Sequence, residues 1–258
     1  FIYSTVIISI MKIRLNKFLA DLGLASRRKA DALIEEGKVL LNHQKAKLGD
    51  KIDPNKDEVM ISGKKLSTTN KENFEYWLLN KPFNVISSVS DEANRKTVFD
   101  YVKSKTQVRV YPVGRLDYQS EGLLLMTNDG DLAHRLTHPK YQVKKVYKVW
   151  VNGIFAEGKI ERLLRGVRLS EGKIAFDQIE LIEKEGRDFV LKITIHQGVK
   201  REIRRVCAKV GWEVTKLLRI QLGNLVLSNL TVGNVRKLSA QEIKDLQKLV
   251  GLNENVNL

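Results

Sequence analysis

Cysteine is all but missing from this chain. Cys207 stands alone among 258 residues, which excludes an intrachain disulfide and any zinc site built from several thiolates, and suits a reducing cytoplasm. Of the four histidines, His134 and His138 stand one helical turn apart but lack the glutamate of H-E-x-x-H, and His43 and His196 lie far off in sequence. They read as core or surface side chains, with no metal site. No apolar run reaches the ~20 residues needed to span a bilayer. Residues 1–10 are apolar but carry no basic flank and begin without methionine; they read as an extension upstream of Met11, in preference to a cleaved signal peptide. A G-x-G-x-x-G loop, internal repeats and low-complexity tracts are missing too.

Acidic residues are scarce relative to basic ones. Forty-five Lys and Arg against 30 Asp and Glu leave a net charge of +15 and an isoelectric point near 9.8. A polyanion neutralises such an excess and a small neutral metabolite does not, so nucleic acid is the leading partner; the plainer reading is a solvated basic surface. With 43% hydrophobic residues the chain can bury a sizeable core, and its length suggests two domains.

Leu15, Phe18, Leu19 and Leu22 recur at helical spacing before Gly23, and Ser26 is placed to cap a second helix that buries Ala30, Leu33 and Ile34 and stops at Gly37. Arg27, Arg28 and Lys29 fall in the first turn of that helix, where the macrodipole disfavours cations. Phosphate would offset the conflict; a solvated cluster stabilised by Asp31 or Glu35 is the simpler account. Short strands follow at 39–41 and 59–61, with Asn42-His43 as a turn and a basic Lys45-Ala46-Lys47 stretch between them. The polar stretch 67–73 reads as a linker between a small domain at 11–66 and a larger one at 74–250, with a tail at 251–258. Residues 11–66 carry +5 of the net charge and the rest +10, so both domains are expected to meet the polyanion.

Beyond the linker, strands are predicted at 76–79, 108–110, 123–126, 146–151 and 189–195, and helices at 131–136, 158–164, 199–210 and 240–250. Ser239 and Glu242 form a capping box for the last helix. Strands and helices do not alternate regularly, which points to an α+β fold.

Two segments carry unusual local cost. Pro112-Val113-Gly114-Arg115-Leu116-Asp117 leads through Ser120-Glu121-Gly122 into Leu123-Leu124-Leu125-Met126 and Thr127-Asn128-Asp129-Gly130, placing a carboxylate at the mouth of a buried strand beside glycines that permit close approach. Taken alone, a turn aspartate would suffice. In the segment 198–207, Ile203, Val206 and Cys207, with Val210 beyond it, form an apolar stripe, while Lys200 with Arg204 and Arg201 with Arg205 are like-charged at i,i+4. An anion or a buried carboxylate would remove that conflict, and Glu202 relieves part of it.

These residues resemble the RNA pseudouridine synthases of the group that holds the type A enzymes of the small ribosomal subunit and the type B, E and F enzymes of the large one. The long motif from Gly114 to Gly130 carries the resemblance, Lys200-Arg201-Glu202-Ile203-Arg204-Arg205 resembles the second motif, and Lys145-Val146-Tyr147 the strand tyrosine. Residues 23–28, with Leu48-Gly49-Asp50, resemble the S4 RNA-binding domain of the type B large-subunit enzymes. The family usually has glycine where this chain has Asn84, a residue that tolerates positive φ.

The resemblance implies an S4-type helical hairpin and strand domain, followed by a catalytic domain with a mixed, largely antiparallel sheet and a central cleft. It implies isomerisation of a uridine in ribosomal RNA, with large-subunit RNA favoured, without metal or organic cofactor; the sequence is silent on oligomeric state, and a monomer is the default expectation. Asp117 is the expected catalytic carboxylate, as nucleophile or base; Arg204 is expected to pair with it, and Tyr147 to stack on the flipped uracil. Arg115, Arg27, Arg28, Lys29, Lys200, Arg201 and Arg205 are the expected RNA contacts. Two rivals are an S4-containing ribosome assembly factor without catalysis and an S4-containing ribose methyltransferase, which would need the glycine-rich loop that is missing.

Overall fold

The computed structural model describes residues 12–66 and 73–252, which divide into two compact units at Phe74/Glu75. The predicted extension at 1–10, most of the linker and most of the tail lie outside the described residues.

In the amino-terminal unit β1 (Ile13–Arg14) leads into α1 (Leu15–Asp21) and α2 (Arg27–Glu35). Their buried positions, Leu15, Phe18 and Leu19 on one helix and Ala30 and Ile34 on the other, follow the predicted spacing. Gly23 turns the chain at a φ of +75°, and the Ser26 Oγ accepts the Lys29 N–H at 3.2 Å. Five short strands follow: β2 (Val39–Leu41), β3 (Gln44–Lys45), β4 (Lys51–Ile52), β5 (Val59–Ile61) and β6 (Lys64–Lys65). Four pair in the order β3-β2-β5-β6, and β4 pairs with β1. Asn42 and His43 both take positive φ, 49° and 66°, the requirement of a tight two-residue hairpin.

The second unit is built, among the described residues, on a nine-stranded sheet. Its strands are β7 (Tyr76–Lys81), β8 (Tyr111–Pro112), β9 (Glu121–Thr127), β10 (Lys145–Asn152), β13 (Gln178–Glu185), β14 (Asp188–Ile195), β15 (Glu213–Leu222), β16 (Leu225–Val226) and β17 (Val235–Lys237). A separate hairpin joins β11 (Val167–Leu169) to β12 (Gly172–Ile174). The helices are α3 (Gly130–Thr137), α4 (Glu157–Arg165), α5 (Glu202–Ala208) and α6 (Ala240–Leu249). The sheet runs β13-β14-β10-β15-β9-β7-β17, with β16 on β15 and β8 on β9. Every one of these ladders is antiparallel except β15 with β9.

That centre is buried on both faces. Leu124 and Met126 join one core with Trp77 and Leu79, while Leu123 and Leu125 join a second with Tyr76, Leu78 and residues of α3 and α6. A strand covered on both sides needs no polar alternation, which is why residues 123–126 form an unbroken apolar run.

Two predicted elements differ. Residues 108–110 form no strand: Thr106 Oγ1 donates to the Val108 carbonyl and accepts its N–H, so a side chain takes the groups a ladder needs, and the strand is the short β8. The helix predicted at 199–210 is only α5, because Arg201 sits in the left-handed region at a φ of 52° and the Glu202 carboxylate accepts the Val199 N–H at 3.0 Å. Lys200 and Arg201 therefore stand outside the helix, Arg201 as its N-cap, and the like-charge neighbour that bears on Arg204 is Arg201.

Candidate active site

A cavity of about 310 Å³ opens in the second unit, and Asp117 and Tyr147 both line it. Asp117 comes from the loop between β8 and β9, Tyr147 from β10. Arg115, Lys200 and Arg201, all exposed, share its rim.

The Asp117 loop is staked from below by Lys81, at the end of β7. This side chain is completely buried, and its ammonium donates to the carbonyls of Ser120 (2.7 Å), Pro82 (3.0 Å) and Asp117 (3.2 Å). Burial pushes its pKa down from 10.5 to about 8, against the opposing pull of Glu121 and Asp117. The Asp117 carbonyl also accepts the Ser120 N–H, closing the turn that presents the carboxylate. Asn84 takes a φ of 55°, as its place in a strained turn suggests, and its N–H reaches the carbonyl of Tyr118, the residue after Asp117.

Arg204 is held near Asp117 without an ion pair to it. The guanidinium donates to Val214 O at 2.6 Å and Gln119 O at 2.9 Å, and among the described residues no carboxylate forms an ion pair with it. Burial and the neighbouring Arg201 push its pKa down, and Asp117 pulls the other way. The expected pairing is thus an electrostatic neighbourhood here, because two backbone carbonyls hold the fork. Arg205 is committed elsewhere: both terminal nitrogens bond Glu171 at 2.7 Å, drawing that carboxylate down to about 2 and tying α5 to the β11–β12 turn.

Buried ionisable side chains fill the cavity wall. Tyr147, Glu202 and Arg219 are 8%, 3% and 3% exposed. Burial raises the Tyr147 pKa, with Arg219 opposing, so the phenol keeps its proton. Burial likewise raises Glu202, whose second oxygen has no partner. Lys145 donates to His196 O and Gln197 O, and burial, then Arg219, lowers its pKa. Lys81 and Arg219 escaped the sequence reading as site residues. The available signal was a cation at the end of the apolar run Tyr76–Lys81 and another within Leu217-Leu218-Arg219-Ile220.

In the amino-terminal unit Arg27, Arg28 and Lys29 are exposed. The Asp31 carboxylate does not serve them: it accepts from Asn16 Nδ2 at 2.9 Å, and Arg27 reaches Asn16 Oδ1 at 3.4 Å.

Comparison with known proteins decides the family. The model of RNA pseudouridylate synthases matches residues 75–209, and that of the S4 domain matches 13–58. The chain is 42% identical over 245 residues to ribosomal large subunit pseudouridine synthase B of Bacillus subtilis, covering 94% of this chain and 98% of that protein. This chain belongs to the RNA pseudouridylate synthase family. It is also 36% identical to the dual-specificity RNA pseudouridine synthase RluF of Escherichia coli K12, over 92% of this chain and 79% of the relative. A crystal structure of a pseudouridylate synthase superposes with a TM-score of 0.62 at 29% identity, covering 91% of this chain and 99% of the other. A pseudouridine synthase breaks the N1 glycosidic bond of uridine, turns the uracil and rejoins it through C5, with no net gain or loss of atoms. The α+β fold, the S4 domain and the largely antiparallel sheet agree with the sequence expectation. Among the described residues no helix is long and apolar enough to cross a membrane.

Proposed function

We propose that this pseudouridine synthase modifies ribosomal RNA, in the large subunit, with Asp117 as the catalytic carboxylate. The supporting observation is that Asp117 and Tyr147, thirty residues apart in sequence, line one cavity whose rim is cationic. A flipped uridine enters that cavity, because its glycosidic bond cannot be reached inside a folded RNA. Tyr147 stacks on the uracil and limits its escape during rotation. Asp117 acts on the sugar or the base, as nucleophile or as the acceptor of a sugar proton. Arg204, held by the backbone carbonyls of Val214 and Gln119, supplies the opposite charge beside Asp117 as RNA closes over the cavity. Arg115, Lys200 and Arg201 hold backbone phosphates around the flipped nucleotide, and Arg27, Arg28 and Lys29 of the S4 domain bind a neighbouring duplex. The enzyme acts as a monomer in the cytoplasm, with no cofactor, and the ribosomal target in the name of the Bacillus subtilis relative supports the large-subunit assignment.

Mapping pseudouridines in ribosomal RNA from cells with and without the gene tests this reading. One large-subunit position should lose its pseudouridine and regain it with the intact gene. An unchanged map, or restoration by Asp117→Asn, would contradict it.

A further inference from the structure

Arg219 poses a problem that the catalytic roles above do not solve. It lies on β15 in the middle of the sheet, is 3% exposed and lines the cavity with Asp117 and Tyr147. Its Nε donates to Leu123 O at 2.7 Å and the guanidinium lies within reach of the Tyr147 phenol, while its buried Nη2 has no close hydrogen-bond acceptor. Among the described residues no carboxylate forms an ion pair with it. A buried cation without an opposite charge is expensive to keep, and an aliphatic side chain would fill the same strand position. Backbone hems in the strand at this position, whatever side chain it carries. Arg219 stands opposite Tyr147 on one side and Gly122 on the other, and a Cβ at Gly122 would lie 2.3 Å from the Arg219 carbonyl oxygen.

We infer that Arg219 is a catalytic residue that stabilises the negative charge carried by uracil while it is detached from the ribose. The inference rests on the reading that the Asp117 and Tyr147 cavity holds the flipped uridine. When the C1′–N1 bond breaks, its electron pair leaves with the base and spreads over N1, O2 and O4. Asp117 meets the electron deficiency of the sugar, either by bonding to C1′ or by taking the C2′ proton to leave a C1′=C2′ double bond. After rotation, the electron pair at C5 forms the new bond to C1′, and Asp117 departs or returns the proton to C2′. The C5 proton is then lost and N1 gains one, so the atoms balance. Arg219 stays protonated throughout and transfers nothing.

Its neighbours are less suited. The Lys145 ammonium is occupied by two carbonyls, and the rim cations are exposed, where water weakens their hold on a charge. A guanidinium that is buried, permanently charged and short of one acceptor is arranged before the charge appears, the condition for strong transition-state stabilisation.

Single-turnover rates and dissociation constants would be measured for wild type, Arg219→Met and Arg219→Lys on the same RNA carrying either uridine or 5-fluorouridine at the target. Fluorine makes the departing base a weaker base, so it supplies part of what Arg219 provides. Arg219→Met should lose ~10²- to 10³-fold in the rate of uridine consumption, with RNA affinity within about twofold of wild type. The loss should be at least about tenfold smaller on the fluorinated RNA, by the same leaving-group argument. An equal loss on both RNAs would mean that Arg219 merely shapes the cavity, and a matching loss of affinity would mean a phosphate contact; either overturns the inference. If Arg219→Met does not fold, Arg219→Lys carries the same comparison, with a smaller loss and the same dependence on fluorine. Failure of wild type itself to consume the uridine would instead overturn the underlying assignment.

Discussion

The two units share exposed cations, but among the described residues only the second also buries them. In the amino-terminal unit Arg27, Arg28 and Lys29 stand exposed on the first turn of α2, with no ion pair to an acid among the described residues. In the second unit Lys81 and Arg219 are buried and engaged by backbone carbonyls. Exposed cations attract phosphates from a distance, are screened by salt and have little geometry to offer. Buried cations lose their hydration, act in a low dielectric and fix a single geometry. On the proposed reading, exposed cations in both units serve affinity, and the buried ones, which only the second unit has among the described residues, serve chemistry.

Gly122→Ala breaks the second side of this comparison most severely. Its Cβ would lie 2.3 Å and 2.8 Å from the backbone oxygen and nitrogen of Arg219, at a φ of +104°, and backbone cannot step aside. The parallel ladder of β15 with β9 should fail at a cost above ~4 kcal/mol. All three tryptophans lie in this unit, so urea unfolding followed by their fluorescence reports it directly. Hydrogen exchange in residues 13–66 should be unaltered.

Lys81→Met comes next. Without the ammonium the carbonyls of Pro82, Asp117 and Ser120 lose their shared donor, and an Asp117 loop displaced by ~1 Å should lower the single-turnover rate by about 10²-fold. In wild type the rate should fall as pH rises through about 8, because the neutral amine has too few hydrogens for three carbonyls. Stability moves the other way. The folded state binds the Lys81 proton less tightly than the unfolded state, so this group's penalty, complete below about 8, is relieved as pH rises towards 10.5. Activity falling while the melting temperature holds would be the signature; Lys81→Met should flatten that limb of the pH profile.

On the other side, replacing Arg27, Arg28 and Lys29 together with Ala should flatten the salt dependence of RNA binding by up to ~0.9 log units per lost duplex phosphate contact. An unchanged slope in titrations at several salt concentrations would make them a solvated cluster. The smallest effect belongs to Ser239→Ala. Ser239 and Glu242 cap α6 reciprocally, and removing the hydroxyl should cost about 1 kcal/mol by urea unfolding with catalysis intact.

What the sequence revealed follows the same division. The helical hairpin and the strand at 123–126 were legible because burial on one stripe or on both faces leaves a plain apolar pattern. Strand β13 was not, since it lies at the sheet edge and half of its residues are charged, a common protection against edge pairing. The central β15 was hidden by Lys216, Arg219 and Gln221, which interrupt its apolar residues. Its most informative residue was therefore the one that obscured the strand. Asp117 and Tyr147 were found through motif resemblance; their shared cavity depends on β9 and β10 both pairing with β15, which no local pattern encodes. Val110 is fully buried yet belongs to no strand, because burial alone does not create a ladder.

The division of labour is tested most directly by measuring, on one ribosomal RNA fragment, the dissociation constant and the single-turnover rate at saturating RNA for wild type, Asp117→Asn and the combined Ala variant of Arg27, Arg28 and Lys29. Asp117→Asn should bind as wild type does and form no pseudouridine, while the triple variant should bind more weakly and, once saturated, react at the wild-type rate. Turnover by Asp117→Asn, or a collapsed saturating rate in the triple variant, would contradict the account.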